Sequence, residues 1–252
     1  MEKIVNDFTI NIATANGTGS QSANLILLNS LFRMGTHVSG KNLFPSNIAG
    51  LPTWYIVRVS DHGYQAPGDE THIQVLMNID TWADDLAELS PGTVVIYNTN
   101  VKAPIDRDDL VLYPADMTAM ARTLNPKLAK LVSNMIYVGI MAEILEIPQD
   151  IVEEAISKQF NGKEKAIEIN SQASILGREH FKNELKKNDP YYVEARKKDK
   201  KQFLIEGNDA LALGCIYGGI NMLSWYPITP SSSVAEAIEA YVPKLRTNNI
   251  NN

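Results

Sequence analysis

The sequence predicts an α/β protein, a layered sheet with helices on both faces, and three observations carry that reading. Short runs rich in β-branched and aromatic residues recur through the first 115 residues. A glycine turn joins the first run to a helical apolar pattern, and further helical patterns lie between and after the runs. Strands alternating with helices favour a parallel or mixed sheet covered on both sides.

Taken in order, residues 8–14, FTINIAT, read as a buried strand, ANGTGSQSAN as a glycine turn, and QSANLILLNSLFRMG as a helix ending at Gly35. Strand-like runs follow at 53–60 (TWYIVRVS), 73–78 (IQVLMN), 93–98 (TVVIYN) and 110–115 (LVLYPA), with DTWADDLAEL helical between two of them. KNLFPSNIAGLPTWY, holding Pro45, Gly50 and Pro52, reads as a long loop of the kind that carries recognition or caps a sheet. From Asn125 onward the pattern is helical. NPKLAKLVSNMIYVGIMAEIL offers an Asn cap, a proline at the first helical position and apolar residues three and four apart. PQDIVEEAISKQF and KEKAIEINSQASILGREHFKNEL continue as helices.

Residues 1–185 are therefore expected to form the α/β domain, 186–202 a charged linker, and 203–252 a second segment. That segment reads as helix, short strand, proline turn and helix, then a polar tail. Some fifty residues bury too little apolar surface to stand alone. The segment must pack on the first domain or open a domain that this chain does not finish.

Of the 252 residues 44% are hydrophobic and 21% charged, an ordinary water-soluble composition without the roughly 18 consecutive apolar residues of a membrane span. The N-terminus lacks the basic-then-apolar layout of a signal peptide, so a cytoplasmic protein is expected. One cysteine, Cys215, excludes an intrachain disulfide and a multi-cysteine metal site built from this chain alone. The net charge is −6; residues 182–201 carry eight basic and four acidic side chains, which leaves −10 elsewhere. Interspersed acids make that basic run a solvated surface rather than a nucleic-acid site. His37, His62, His72 and His180 show no metal-ligand spacing, and no metal site is expected.

Two short stretches carry candidate chemistry. In NGTGSQS, Gly17 and Gly19 with Ser20 and Gln21 place a glycine turn at a helix start, where backbone N–H groups and the helix dipole suit an anion. The same glycines equally serve a sharp turn and close helix–strand packing. As a dinucleotide fingerprint the turn is incomplete: Ser22 stands where a third glycine belongs, and THVSGKNL offers His37, Ser39 and Lys41 instead of a ribose-binding acid. In SWYPITPSSSVAEAIEA, Pro227 and Pro230 hold Tyr226 and Thr229 extended. Thr229 is placed to cap the helix that follows, and Ser233 with Glu236 matches a capping box one turn later. The same frame aims a rigid hydroxyl beyond a strand's end.

YPITPSS, preceded by GNDALALGCIYGGI, resembles the opening of the α subunit of 2-oxoacid:ferredoxin oxidoreductases. NGTGSQSAN and FPSNIAGLPTWYIVRVSDHGY resemble the γ domain fused ahead of α in the 2-oxoglutarate-type members. The resemblance implies a γ-like α/β domain followed by the incomplete start of an α/β thiamine-binding-type domain. It implies that thiamine diphosphate attacks the 2-oxo carbon and carbon dioxide leaves. Two electrons then pass singly through 4Fe-4S clusters to ferredoxin, and coenzyme A collects the acyl group.

In such a site Thr229 lies beside the thiamine ring and the 2-oxoacid, with Tyr226 and Ser231 near the substrate and Pro227 and Pro230 framing the cofactor side. Gly17, Gly19, Ser20 and Gln21 are the cofactor-side candidates of the first domain. Four thiolates hold a cluster and this chain has one cysteine. The Mg2+-diphosphate turn, Gly-Asp-Gly, is supplied by neither PGDETH nor EGNDAL. A β subunit is thus expected to hold Mg2+ and clusters in a hetero-oligomer, and the isolated chain to be inactive. The family's α subunit continues past residue 252, so a truncated product or a split subunit is expected. Two other readings stay open: a non-catalytic assembly module of such a complex, and a dinucleotide-binding oxidoreductase.

Overall fold

In the computed structural model, residues 2–44, 49–197, 202–228 and 230–246 are described. The chain divides into two compact units, residues 1–200 and 201–252.

The first unit is built on a mixed six-stranded sheet. After a short β1 (Ile4–Val5) come β2 (Phe8–Ala15), α1 (Ser20–Arg33), β3 (His37–Leu43), β4 (Pro52–Ser60) and β5 (Ile73–Leu76). There follow α2 (Trp82–Ala87), β6 (Val94–Asn98) and β7 (Val111–Ala115). The sheet order is β3-β4-β2-β5-β6-β7. β2, β5, β6 and β7 run parallel, while β4 is antiparallel to both β2 and β3.

The runs expected at 8–14, 53–60, 73–78, 93–98 and 110–115 each contain a strand, as their apolar content predicts, though β5 stops at Leu76. β5 and β6 are buried almost throughout, the condition that makes a strand read as a continuous apolar run. β3 falls where a loop was expected to begin. It is an edge strand with β4 as its sheet partner; Val38 is its one buried residue and Gly40–Leu43 are exposed, so HVSGKNL has no apolar alternation for the sequence to announce.

Helices cover both faces. Leu28 of α1 comes against Gly40 on one face. Trp82 and Leu86 of α2 pack with Ala13, Leu76 and Val95 on the other. Four helices follow the last strand: α3 (Met117–Leu124), α4 (Ala129–Ile144), α5 (Gln149–Gln159) and α6 (Glu164–Glu184). α3 was not foreseen, although Asp116 caps it by accepting from Ala119 N at 2.9 Å. Asn125 accepts from Lys127 N at 3.0 Å and Leu128 N at 3.2 Å, but it caps a turn, and α4 begins only at Ala129. α4 and α6 cross where Gly139 and Gly177 let their backbones meet. A Cβ at Gly139 would stand 1.9 Å from Ser174 O, and one at Gly177 2.1 Å from Ile136 O.

The stretch expected as a charged linker is described as far as Lys197. β8 (Tyr191–Tyr192) pairs with β1, and Asp189 accepts from Tyr113 Oη and Lys187 Nζ, each at 2.7 Å. Burial pushes the Tyr113 phenol well above its ordinary pKa. No helix among the described residues is long and apolar enough to cross a membrane.

The second unit holds α7 (Gly207–Tyr217) and α8 (Ser231–Leu245) around a small cluster of Ala212, Ala237 and Ile238, against which Cys215 packs. Arg246 donates to Ile216 O at 2.6 Å and also bonds Ile220 O. The short strand expected between the helices is not formed among the described residues. Ile220 and Leu223 pack onto the cluster instead of alternating between two faces.

Candidate functional site

At the centre of the sheet β2 ends at Ala15 and α1 starts at Ser20, so four residues turn the chain. Gly17 and Gly19 have φ of 78° and 81°, a conformation that a Cβ penalises. Both flanks of the turn are tied. Asn16 N donates to Leu51 O and Gly50 N to Asn16 O, each at 2.8 Å. Opposite, Asn134 of α4 donates to Thr18 O at 2.6 Å, and Tyr137 of α4 donates to Asn24 of α1 at 2.7 Å.

Gly17, Gly19 and Gln21 are exposed, whereas Ser20 is buried. The N-cap of α1, Gly19, brings no side chain of its own, and no acid lies in the first turn. The positive end of this 14-residue helix therefore suits an anion, with the half-exposed side chains of Leu51 and Leu131 nearby. Such a place suits a phosphorylated ligand with an apolar arm. It does not suit a dinucleotide in the fingerprint manner. The strand after α1 does not pair with β2, because antiparallel β4 lies between them, so the adjacent βαβ unit in which that fingerprint works is not formed there. His37, Ser39 and Lys41 belong to that edge strand.

Sequence reading missed a cleft of about 410 Å3 on the α2 side of the sheet. Asn11, Trp54 and Ile56 contribute to its floor, and Asp69, Asp84 and Glu88 to its walls. Asp85 accepts from Trp54 Nε1 at 2.8 Å and Thr81 Oγ1 at 2.6 Å, and burial pushes its carboxyl up. The contributors named come from four separate stretches, so no local motif marks the cleft.

In the second unit Ile228 N donates to Tyr226 O at 2.8 Å, a three-residue turn centred on Pro227, whose ring fixes the φ that such a turn uses. Ser231 Oγ shares its proton between Tyr226 O at 2.8 Å and Ile228 O at 2.7 Å. Ser233 Oγ donates to Pro230 O at 2.9 Å and accepts from Asn208 Nδ2 at 2.6 Å. Ser233 is the third residue of α8 rather than its cap, so the capping box expected with Glu236 is not formed. Pro230, expected as the first helical residue, instead stands at the cap of α8. Tyr226 and Ile228 are exposed. Thr229, Pro45 and the rest of the 45–48 loop lie outside the described residues. The candidates thus fall into two groups: Gly17, Gly19, Ser20 and Gln21 in the first unit, and Tyr226, Pro227, Pro230 and Ser231 in the second. Among the described residues no three His, Cys, Asp or Glu side chains gather as a metal site.

The sequence profile of a family described as "Pyruvate ferredoxin/flavodoxin oxidoreductase" matches residues 9–180. A 2-oxoacid:ferredoxin oxidoreductase subunit α from Aeropyrum pernix is 24% identical over 93% of this chain, and the chain spans 43% of that relative's length. A solved 2-oxoglutarate:ferredoxin oxidoreductase from Magnetococcus marinus, with 2-oxoglutarate, coenzyme A and succinyl-CoA bound, superposes with a TM-score of 0.84 at 28% identity. That match covers 95% of this chain and 42% of the other. A keto/oxoacid ferredoxin oxidoreductase γ subunit from Geobacter sulfurreducens shares the fold, with a TM-score of 0.57 at 17% identity over 68% of this chain and 96% of its own.

Proposed function

The chain belongs to the pyruvate ferredoxin/flavodoxin oxidoreductase family, and from that premise we propose that it serves as the γ-like domain and α-domain start of a 2-oxoglutarate:ferredoxin oxidoreductase. The observation that carries the proposal is the N-terminus of α1, with glycine at its cap and no acid in its first turn, behind exposed Gly17 and Gly19, a place for the phosphates of coenzyme A. Its support is the superposition of 95% of the chain on an enzyme solved with that coenzyme. Ser20 and Gln21 would add their backbone N–H groups, and Leu51 and Leu131 would shelter the apolar arm.

In the second unit, Ser231 closes the Tyr226–Ile228 turn, and Pro227 and Pro230 stiffen the chain on either side of Thr229. A hydroxyl so delivered would orient the oxoacid and stabilise charge developing on its oxygen. Thiamine diphosphate, when bound, supplies nucleophilic attack on the 2-oxo carbon and a sink for the electron pair that carbon dioxide leaves behind. One cysteine cannot hold an iron–sulfur cluster, and neither PGDETH nor EGNDAL supplies the Gly-Asp-Gly turn of a Mg2+-diphosphate site. Both belong to a β subunit or another partner in a cytoplasmic hetero-oligomer that passes electrons to ferredoxin.

Titration of the purified chain with coenzyme A tests the first unit. Saturable binding at about 1 mM or below is expected, lost in desulfo-pantetheine fragments that lack the phosphates. A chain that binds its partner subunit but no coenzyme A would be an assembly module, and the proposal would fall.

A further inference from the structure

α7 has no polar side chain from Ala210 to Tyr217, yet only Ala212 and Ile216 of the helix are buried. A helix that is apolar on every side belongs in the interior of a finished domain. Here Leu211 is 55% exposed and Tyr217 77%. The chain that follows continues the pattern: Met222 is 83% exposed, and Trp225, Tyr226 and Ile228 are exposed as well. Large apolar side chains left open along one short stretch of chain mark a surface that another segment of protein covers.

The main chain of that stretch points to the kind of segment. Ile220 N donates to Cys215 O at 3.1 Å, and the next main-chain bond runs from Ile228 N to Tyr226 O at 2.8 Å. Between them, residues 221–225 make no hydrogen bond to any described residue. Water satisfies these groups while the stretch is open, but a partner that buries Met222 and Trp225 removes that water. Each N–H and C=O then needs a new bond, and over consecutive residues another extended backbone provides them. The match to the Magnetococcus enzyme covers 95% of this chain, and so reaches beyond the 200 residues of the first unit, but it takes in 42% of the other chain. More than half of that relative lies outside the match. We propose that residues 221–226 are a strand-docking site: they pair, main chain to main chain, with a β-strand of the polypeptide that carries the length of the relative this chain does not span. Met222 and the open side of α7 pack against the same segment. The proposal rests on the reading of the second unit as the start of an α domain.

The test uses the oxidoreductase assembled from this chain and the polypeptides that complete it, with a diazirine-bearing amino acid in place of Met222. Irradiation and peptide mapping should place the crosslink in the polypeptide that carries the unspanned length. Amides of residues 221–226 should exchange with deuterium about 100-fold more slowly in the assembly than in the free chain. Met222→Asp should weaken association about tenfold or more, while the free chain melts as the parent does because that side chain is exposed there. A crosslink to a second copy of this chain or to the cluster-bearing subunit, no crosslink at all, or amides that stay unprotected in the assembly would each overturn the docking site. Thiamine-dependent reduction of ferredoxin keeps the two readings apart. An active assembly with the crosslink elsewhere rejects the strand alone, and a chain that yields no active assembly with any such polypeptide rejects both.

Discussion

Replacing Gly19 with alanine separates what the glycine turn costs from what it does. At φ 81° an alanine would carry the left-handed penalty of about 1–2 kcal/mol. Its Cβ would meet Leu131 Cδ2 at 3.2 Å, the far end of a flexible side chain that can turn aside, and Leu131 O at 3.6 Å, an ordinary contact. Sterics therefore add little and the backbone dominates. For a unit of 200 residues that loss lowers the melting temperature by about 2–8 °C. Calorimetry should show it in the transition of the first unit. Gly19→Asn should recover part of the loss, because asparagine tolerates that region better than alanine. A Gly19→Ala chain that melts with the parent, or a Gly19→Asn chain no better than alanine, would refute the assignment of the cost to φ.

At the α4–α6 crossing, Gly177→Ala should cost about 3 kcal/mol or more, read as a lower denaturation midpoint. The intruding Cβ would sit 2.1 Å from Ile136 O, a backbone atom with no rotamer to escape into. A pH dependence should come from His72, whose Nδ1 accepts from Thr9 N at 3.1 Å. Burial lowers its pKa, opposed by the Glu70 carboxylate and aided by Arg58. A base depressed in the folded state contributes stability that is complete above the ordinary pKa of about 6.5 and is lost as pH falls through it. Melting temperatures of the parent and His72→Gln should therefore converge between about pH 7.5 and pH 5.5; a constant gap would count against the titration.

How much could be read in advance varied with how local the cause was. β5 and β6, buried on both faces, and α4, buried nearly throughout, announced themselves through apolar content. Asn125 was recognised as a cap, and its side chain does cap; only the start of the regular helix lies one turn later. β3 escaped notice because an exposed edge needs no apolar alternation, and it is held by main-chain pairing with β4. The cleft beside Trp54 and Asp85 joins side chains 31 residues apart, and Asn208 finds Pro230 22 residues away. Neither pair has a spacing rule.

The chain's local chemistry was enough to determine the strand runs, the glycine turn with its two φ-demanding positions, the proline-stiffened turn and the family resemblance, since each depends on residues within a few positions of one another. Tertiary structure alone decided the antiparallel edge hairpin, the glycine-to-backbone crossing of α4 and α6, the acidic cleft and the link from α7 to the turn before α8. Those depend on which distant atoms come within a few ångströms once apolar surfaces are buried, and sequence separation carries no measure of that distance.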